Sequence, residues 1–173
     1  MSSWMVVGSP DNFGRTRDLG FSVQGFKTRQ RRKVLEQMRP GDNLVYYVSK
    51  VQAFGATARV ETEGYEDHEL IWQSKPGEDY PWRVKISPGV VLDEPDWIPS
   101  EAIGPGLEYV QKWPPEHWKL AFQGNLHRGI VEGVVGKATR AGQPVGMVED
   151  FRTLIDRDPC NVTVSVGYAE SGS

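Results

Sequence analysis

The 173-residue chain is poor in the residues and runs that most often announce a chemistry. It has one cysteine, Cys160, and three histidines. A lone thiol excludes an internal disulfide and a multi-thiol zinc site. His68, His117 and His127 stand at no spacing that suggests a metal pair, so each reads as a surface or turn residue. No apolar run approaches the ~20 residues needed to cross a bilayer, so no membrane partner is expected. No Gly-x-Ser-x-Gly elbow, P-loop or Gly-x-Gly-x-x-Gly is present, and pairs such as Asp93-Glu94 and Glu149-Asp150 read as solvated charge. No catalytic residue, metal or cofactor is indicated. The opening MSSWMVVGSPD lacks a basic n-region and a long apolar h-region. A cytoplasmic location is the expectation, and the Asn161-Val162-Thr163 sequon then carries no meaning.

What the chain does have is charge of one sign in one place. Residues 15 to 39 hold eight Lys/Arg against Asp18 and Glu36, a net of +6, whereas the rest of the chain carries −9. A positive patch on a negative body steers an anion to one face. Thr28 is a candidate N-cap, Val34, Leu35 and Met38 follow at helical spacing, and Pro40-Gly41 stops the run. The spacing predicts a helix of about three turns whose start carries Lys27, Arg29, Arg31, Arg32 and Lys33. Cations at a helix start cost a few tenths of a kcal/mol each unless an anion shares the site. A phosphate group satisfies both those cations and the free N–H groups. Splayed, solvated basic side chains are the alternative.

In chain order, Ser3 to Gly8 reads as a buried strand ended by the turn formers Ser9 to Asn12. Residues 13 to 27 read as a connection. Residues 44 to 48 suit a central strand, and a second strand is expected at about 52 to 63. Glu61 to Glu69 and Gln73 to Asp79 read as loops around Leu70-Ile71-Trp72. From Trp82 to Ile86 apolar and basic residues alternate, and Val90 to Leu92 suggests one more strand. Short helices are expected near 106–112 and 115–121. Pro144 to Ile155 has helical spacing. Asn161 to Tyr168 alternates as an edge strand does, or is disordered. The sum is an α+β domain at about 1–157, with five or six mostly antiparallel strands curled into a small barrel and flanked by short helices, followed by a tail at 158–173. Six tryptophans are present. Five of them (Trp72, Trp82, Trp97, Trp113, Trp118) fall in loop-rich segments, where an indole either stacks on a base or plugs a barrel end.

Several pieces, in order, resemble the EVE domain, one of the PUA-like group that includes the YTH readers of methylated adenine. They are the strand with Trp4 and the following SPDNF (9–13), VQGFKTR (23–29), MRPGD (38–42) before LVYY (44–47), Ile71-Trp72, YPWRVKI (80–86), and Trp118 through Gly124. The likeness spans about residues 3 to 157. It implies a PUA-like pseudo-barrel with a pocket between the first strand, the helix and the sheet, into which a modified base is flipped out of a duplex. The implied pocket comprises Asn12, Gln24, Gly25, Phe26, Trp72, Tyr80 and Trp82, with phosphate contacts from Lys27, Arg29, Arg31, Arg32 and Lys33. Asn12 falls where the family places an Asn on the base edge, and Trp72 matches a cage aromatic. Gln24 stands where relatives commonly have the other cage Trp, and Phe26 is a candidate replacement wall. Gln offers a donor and an acceptor instead of a stacking face, which favours a modified cytosine over methyladenine.

The expected partner is therefore modified DNA or RNA, bound without catalysis by a monomer or weak homodimer. Two alternatives remain open at this level. One is a hydrolase of a modified nucleoside, by analogy with the related ASCH group, using Lys27, Thr28 and Glu36. The other is a small-molecule or protein-interaction module, with the tail at 161–168 adding a strand to a neighbour.

Overall fold

A computed structural model describes residues 2–103, 113–124, 126–128, 136–140, 143–148 and 162–166. The helix expected at 106–112, the segment 149–155 and most of the tail from 158 lie outside the described residues.

Strand β1 (Ser3–Gly8) is buried along nearly its whole length. The turn expected at Ser9–Asn12 is instead the start of helix α1 (Pro10–Asp18). The Ser9 Oγ accepts from the Asn12 backbone N–H at 3.2 Å, Pro10 takes an opening helical position, and Asp11 sits in the first turn. These are ordinary helix-start chemistries. The connection expected over 13–27 holds most of α1 and then strand β2 (Val23–Phe26), buried throughout.

The three-turn helix expected after Thr28 is also corrected. Lys27, with extended backbone and no side-chain cap, precedes a short 3-10 turn, Thr28–Gln30, and a π-helical turn follows at Lys33–Gln37. The Met38 N–H reaches back five residues to the Lys33 carbonyl at 2.9 Å, the wide-turn pattern. Val34 and Met38 are fully buried, so burial of two apolar anchors governs this segment. No cap is available to propagate a regular helix.

Gly41, at φ +93, turns the chain. Buried Asp42 then accepts from the Trp4 indole N–H at 3.0 Å, the Ser2 N–H at 2.9 Å and the Arg39 N–H at 2.9 Å. That carboxylate ties β1 to the next strand, β3 (Asn43–Val48), whose six residues are all buried. A continuous apolar run suits this central position. β4 (Ala53–Val60), the short β5 (Tyr65–Glu66) and β6 (Trp82–Val91) follow. The residues expected to form a separate strand at 90–92 largely continue β6, which runs through Pro88 where its pairing with β4 is irregular, the kind of place that admits proline. Then come β7 (Ile98–Pro99), α2 (Ser100–Ile103), a 3-10 helix at Pro115–Phe122 and β8 (Leu126–Arg128).

The main sheet runs β2-β6-β4-β3-β1-β8, with β5 and β7 added on β6 and β4. Among its described pairs β1 and β3 are parallel and the rest antiparallel. This mixed sheet curls into a half-barrel. Its core holds Trp4, Phe13, Phe21, Phe26, Val34, Met38, Leu44, Tyr46, Val84 and Leu126, with Trp82 and Trp97 packed against it.

A second antiparallel sheet has the order β10-β9-β11, made of β9 (Gly136–Arg140), β10 (Gln143–Val148) and β11 (Val162–Val166). The helix expected from Pro144 is therefore a strand as far as Val148. Pairing with β9 overrides the helical spacing of its apolar residues. Among the described residues no helix is long and apolar enough to cross a membrane.

Candidate functional site

A cavity of about 580 Å³ opens where the end of β1, the start of α1, β2 and the loop 72–80 meet. That volume lies in the usual range for small-ligand sites. Six of the seven pocket residues expected from sequence line it: Asn12, Gln24, Gly25, Phe26, Trp72 and Tyr80. Trp82 does not. It opens β6 opposite Phe26, and its indole packs on the core with the Arg31 guanidinium 5.2 Å above the ring. It shares a sheet face with its cross-strand partner Phe26, but it lies against the core and outside the cavity lining.

Trp72 is a wall and not an open platform. It is only 1% exposed. The Arg83 guanidinium lies 5.2 Å from its ring, and β2 closes on it at Gly25. The Trp72 indole N–H donates to the Thr16 hydroxyl at 2.9 Å. That hydroxyl is also 3.2 Å from the Gln24 Oε1 and 3.3 Å from the Asn12 carbonyl, either of which its one proton can serve. Gln24 completes its position by donating from Nε2 to the Gly25 carbonyl at 2.8 Å.

Asn12 is held as firmly. Its Oδ1 accepts from the Gln73 backbone N–H at 3.0 Å, and its Nδ2 donates to the Tyr80 hydroxyl at 3.3 Å. The Tyr80 hydroxyl donates to Ser74 Oγ at 3.1 Å, and Ser74 in turn donates to Glu78. The Ser74 hydrogen bond, aided by the Lys27 ammonium, holds the Glu78 carboxyl below the usual range. Lys27, which also lines the cavity, pairs with Glu78 at 3.0 Å. One chain of hydrogen bonds thus runs from the floor of the cavity to its rim. Each primary amide keeps a second N–H and a second lone pair.

The loop that carries Trp72 is fastened at both ends. Arg15 donates to the Ile71 carbonyl at 2.6 Å, and buried Arg83 donates to the carbonyls of Glu69 and of Tyr80, the latter at 3.1 Å. His68 bridges Asp79 at 2.5 Å and Glu66 at 2.8 Å. Those two hydrogen bonds, Asp79 first, raise its pKa above the ordinary histidine value.

The five expected phosphate-binding cations divide. Arg29, Arg31 and Arg32 are exposed, and Arg32 pairs with Glu36 at 3.2 Å. Lys33 turns inward, its Nζ 2.8 Å from the Leu126 carbonyl. Burial, then the Arg29 charge, lowers its pKa. It ties the turn to β8, where the resemblance implies a phosphate contact. The trio Lys27, Thr28 and Glu36 is not assembled: Lys27 faces Glu78, Thr28 is exposed, and Glu36 faces Arg32. Among the described residues no group of His, Cys, Asp and Glu could hold a metal ion.

Thr16, Ser74, Arg83 and Leu120 are the site residues that motif reading misses. Thr16 sits four positions after Asn12, on the same face of α1, which is the one signal that would have found it.

Over residues 2–101 the chain matches the family model described as the EVE domain. A UPF0310 protein of Pyrococcus abyssi is 29% identical over 141 residues, covering 76% of this chain and 93% of the relative. Among solved structures, the YTH domain of the Zygosaccharomyces rouxii MRB1 protein, in complex with N6-methyladenosine RNA, aligns at TM-score 0.52 and 13% identity over 73% of this chain and 77% of that one. A crystal structure of the Mmi1 YTH domain aligns at TM-score 0.53 and 7% identity over 75% and 79%. At such identities the likeness is one of fold, and the fold is PUA-like. With more than half of its length matched by the family model, the chain belongs to the EVE domain family.

Proposed function

We propose that this chain is a non-enzymatic reader of a modified base in DNA or RNA, and that a modified cytosine turned out of its strand is the preferred occupant of the cavity. The observation that carries the reading is the cavity itself: an aromatic wall, Trp72, faces a polar edge, Gln24 and Asn12, beside a turn rich in exposed arginine. Turning a base out costs a few kcal/mol. Contacts with the cavity wall and charge-assisted phosphate contacts from Arg29, Arg31 and Arg32 together have to exceed that cost. Gln24 supports the cytosine reading because it puts a donor and an acceptor where a methyl cage needs a stacking face. A cage for methyladenine would instead use a second indole at this position.

Equilibrium binding to oligonucleotides that differ at one base tests this. The set is cytosine, 5-methylcytosine, 5-hydroxymethylcytosine, adenine and N6-methyladenine. At least a tenfold tighter Kd for a 5-substituted cytosine, about 1.4 kcal/mol, supports the reading. Preference for N6-methyladenine would move the specificity to adenine, and equal Kd across the set would overturn the reader itself.

A further inference from the structure

The residues that line the cavity fall into two groups of different depth. Those of the proposed base-binding part, Asn12, Gln24, Gly25, Trp72 and Tyr80, are all buried. Ser49, Gln52, Lys119 and Gln123 line the same cavity and are exposed. They come from the turn after β3 and from the 3-10 helix Pro115–Phe122 with the residue that follows it. Tyr47 and Phe122, which also line the cavity, stack at 4.7 Å and hold that helix against β3. A cavity of about 580 Å³ is of a size that takes drug-sized ligands. A base seated among the buried residues therefore leaves room for the group attached to it, on the side of the exposed ones.

The exposed lining is polar without being basic. Both cations that line the cavity are paired, Lys27 with Glu78 at 3.0 Å and Lys119 with Glu101 at 2.7 Å. Neither is a free charge that would select a phosphate. What this part of the lining offers is the neutral donors and acceptors of the Ser49 hydroxyl and the Gln52 and Gln123 amides.

Gln52 is the most closely defined of them. Its backbone stands at φ +57, a region that residues with a side chain seldom adopt. Its N–H donates to the Val48 carbonyl and its carbonyl accepts from the Ser100 N–H, both at 2.8 Å, which fixes that conformation. Glycine would supply it with no Cβ penalty, so the turn itself has no need of the amide. The amide is nonetheless held in place: Oε1 accepts from the Lys119 Nζ at 3.0 Å, which leaves the two Nε2 N–H groups to present to a ligand. A strained residue kept beside a cavity is a place to look for function.

A sugar hydroxyl is uncharged and both donates and accepts, as this lining does. Within a strand the 3′- and 5′-oxygens are esterified, so the 2′-hydroxyl of ribose is the sugar hydroxyl that remains, and it is what separates RNA from DNA at a given site. We propose that the exposed part of the cavity reads the sugar of the nucleotide whose base lies against Trp72, that Gln52 donates to its 2′-hydroxyl, and that the preferred strand is RNA. The inference rests on the reader function proposed above and adds to it the sugar and the residue that recognises it.

The test compares Kd for single RNA strands of one sequence that differ at one nucleotide: cytidine, 5-methylcytidine, and the 2′-deoxy form of each. The intact protein and Q52G are used. Replacing the one 2′-hydroxyl by hydrogen is expected to weaken binding to the intact protein about tenfold, the upper end of what one hydrogen bond contributes. Q52G is expected to bring the ribose and deoxyribose strands level. Equal Kd for the two sugars in the intact protein overturns the sugar reading, while a methyl-over-plain preference in the same strands leaves the reader standing. A ribose preference that persists in Q52G overturns the part given to Gln52. Loss of the methyl-over-plain preference with both sugars overturns the reader, and the sugar reading with it. Q52G removes backbone strain, thermal melting verifies its fold, and the comparison of sugars in the intact protein needs no variant.

Discussion

Gly25 and Trp72 are in such close contact that a methyl group on Gly25 would stand 2.4 Å from the indole Cζ3 and 3.0 Å from the Tyr80 carbonyl oxygen. Both are walls of the cavity, and neither can shift without disturbing the other. Gly25→Ala should therefore displace the indole and reduce stability by roughly 1–3 kcal/mol, the usual cost of overpacking. Urea denaturation measures the stability, and affinity for the modified base should fall with it. A fully stable Gly25→Ala that still binds would show that the indole position is unimportant.

Thr16 is the next point of dependence, because its hydroxyl accepts from Trp72 and is within reach of Gln24. Thr16→Val keeps the shape and strands a buried indole N–H, a loss of about 1–3 kcal/mol. Thr16→Ser keeps the hydroxyl and should lose much less. Thermal melting of the two variants, compared with the indole N–H resonance, checks the order.

The arginines and Lys33 should separate in a salt titration. Arg31→Ala with Arg32→Ala should weaken modified and plain oligonucleotides equally and reduce the salt slope by about 0.9 for each duplex phosphate no longer neutralised. Lys33→Ala should leave the slope unchanged while lowering stability, because its amino group serves the Leu126 carbonyl. A slope change in Lys33→Ala would restore it to the phosphate-binding set.

His68 gives a pH signature. Its pKa is raised in the folded protein by Asp79 and then Glu66, so the clip is complete below about pH 6.5, the unfolded value, and is lost as pH rises through the higher folded value. Affinity should decline over that window, since His68 helps fasten the loop that carries Trp72. The histidine ring proton shifts report the pKa directly. Asp79→Asn should lower it more than Glu66→Gln, and the reverse order would contradict the geometry.

The strands of the half-barrel were legible where their patterns were strong. The apolar run at 44–48 is the central β3, and the alternation from Trp82 lies in β6. Helix α1 was hidden because the face it buries is Asn12, Phe13 and Thr16, two of them polar, so no apolar periodicity marks it. Its signal was local instead: Ser9, Pro10 and Asp11 in succession. The basic segment after Lys27 showed helical spacing, yet spacing over two turns does not distinguish an α-helix from a 3-10 turn followed by a π turn. Six of the pocket residues came from the resemblance, in segments up to 68 positions apart from Asn12 to Tyr80. What no spacing could carry is which atoms they satisfy: Asn12 and Gln24 already hold the loop and β2 in place.

The Trp72 indole N–H is the most direct reporter of the central claim, since it is buried in the cavity wall and bonded to Thr16. Titrating 15N-labelled protein with an oligonucleotide carrying one 5-methylcytosine should shift the Trp72 indole and the Gly25 amide together, with a saturation curve tighter than for the plain strand. If both resonances stay still while the Arg31 and Arg32 amides move, the nucleic acid binds the basic turn without placing a base in the cavity, and the account is contradicted.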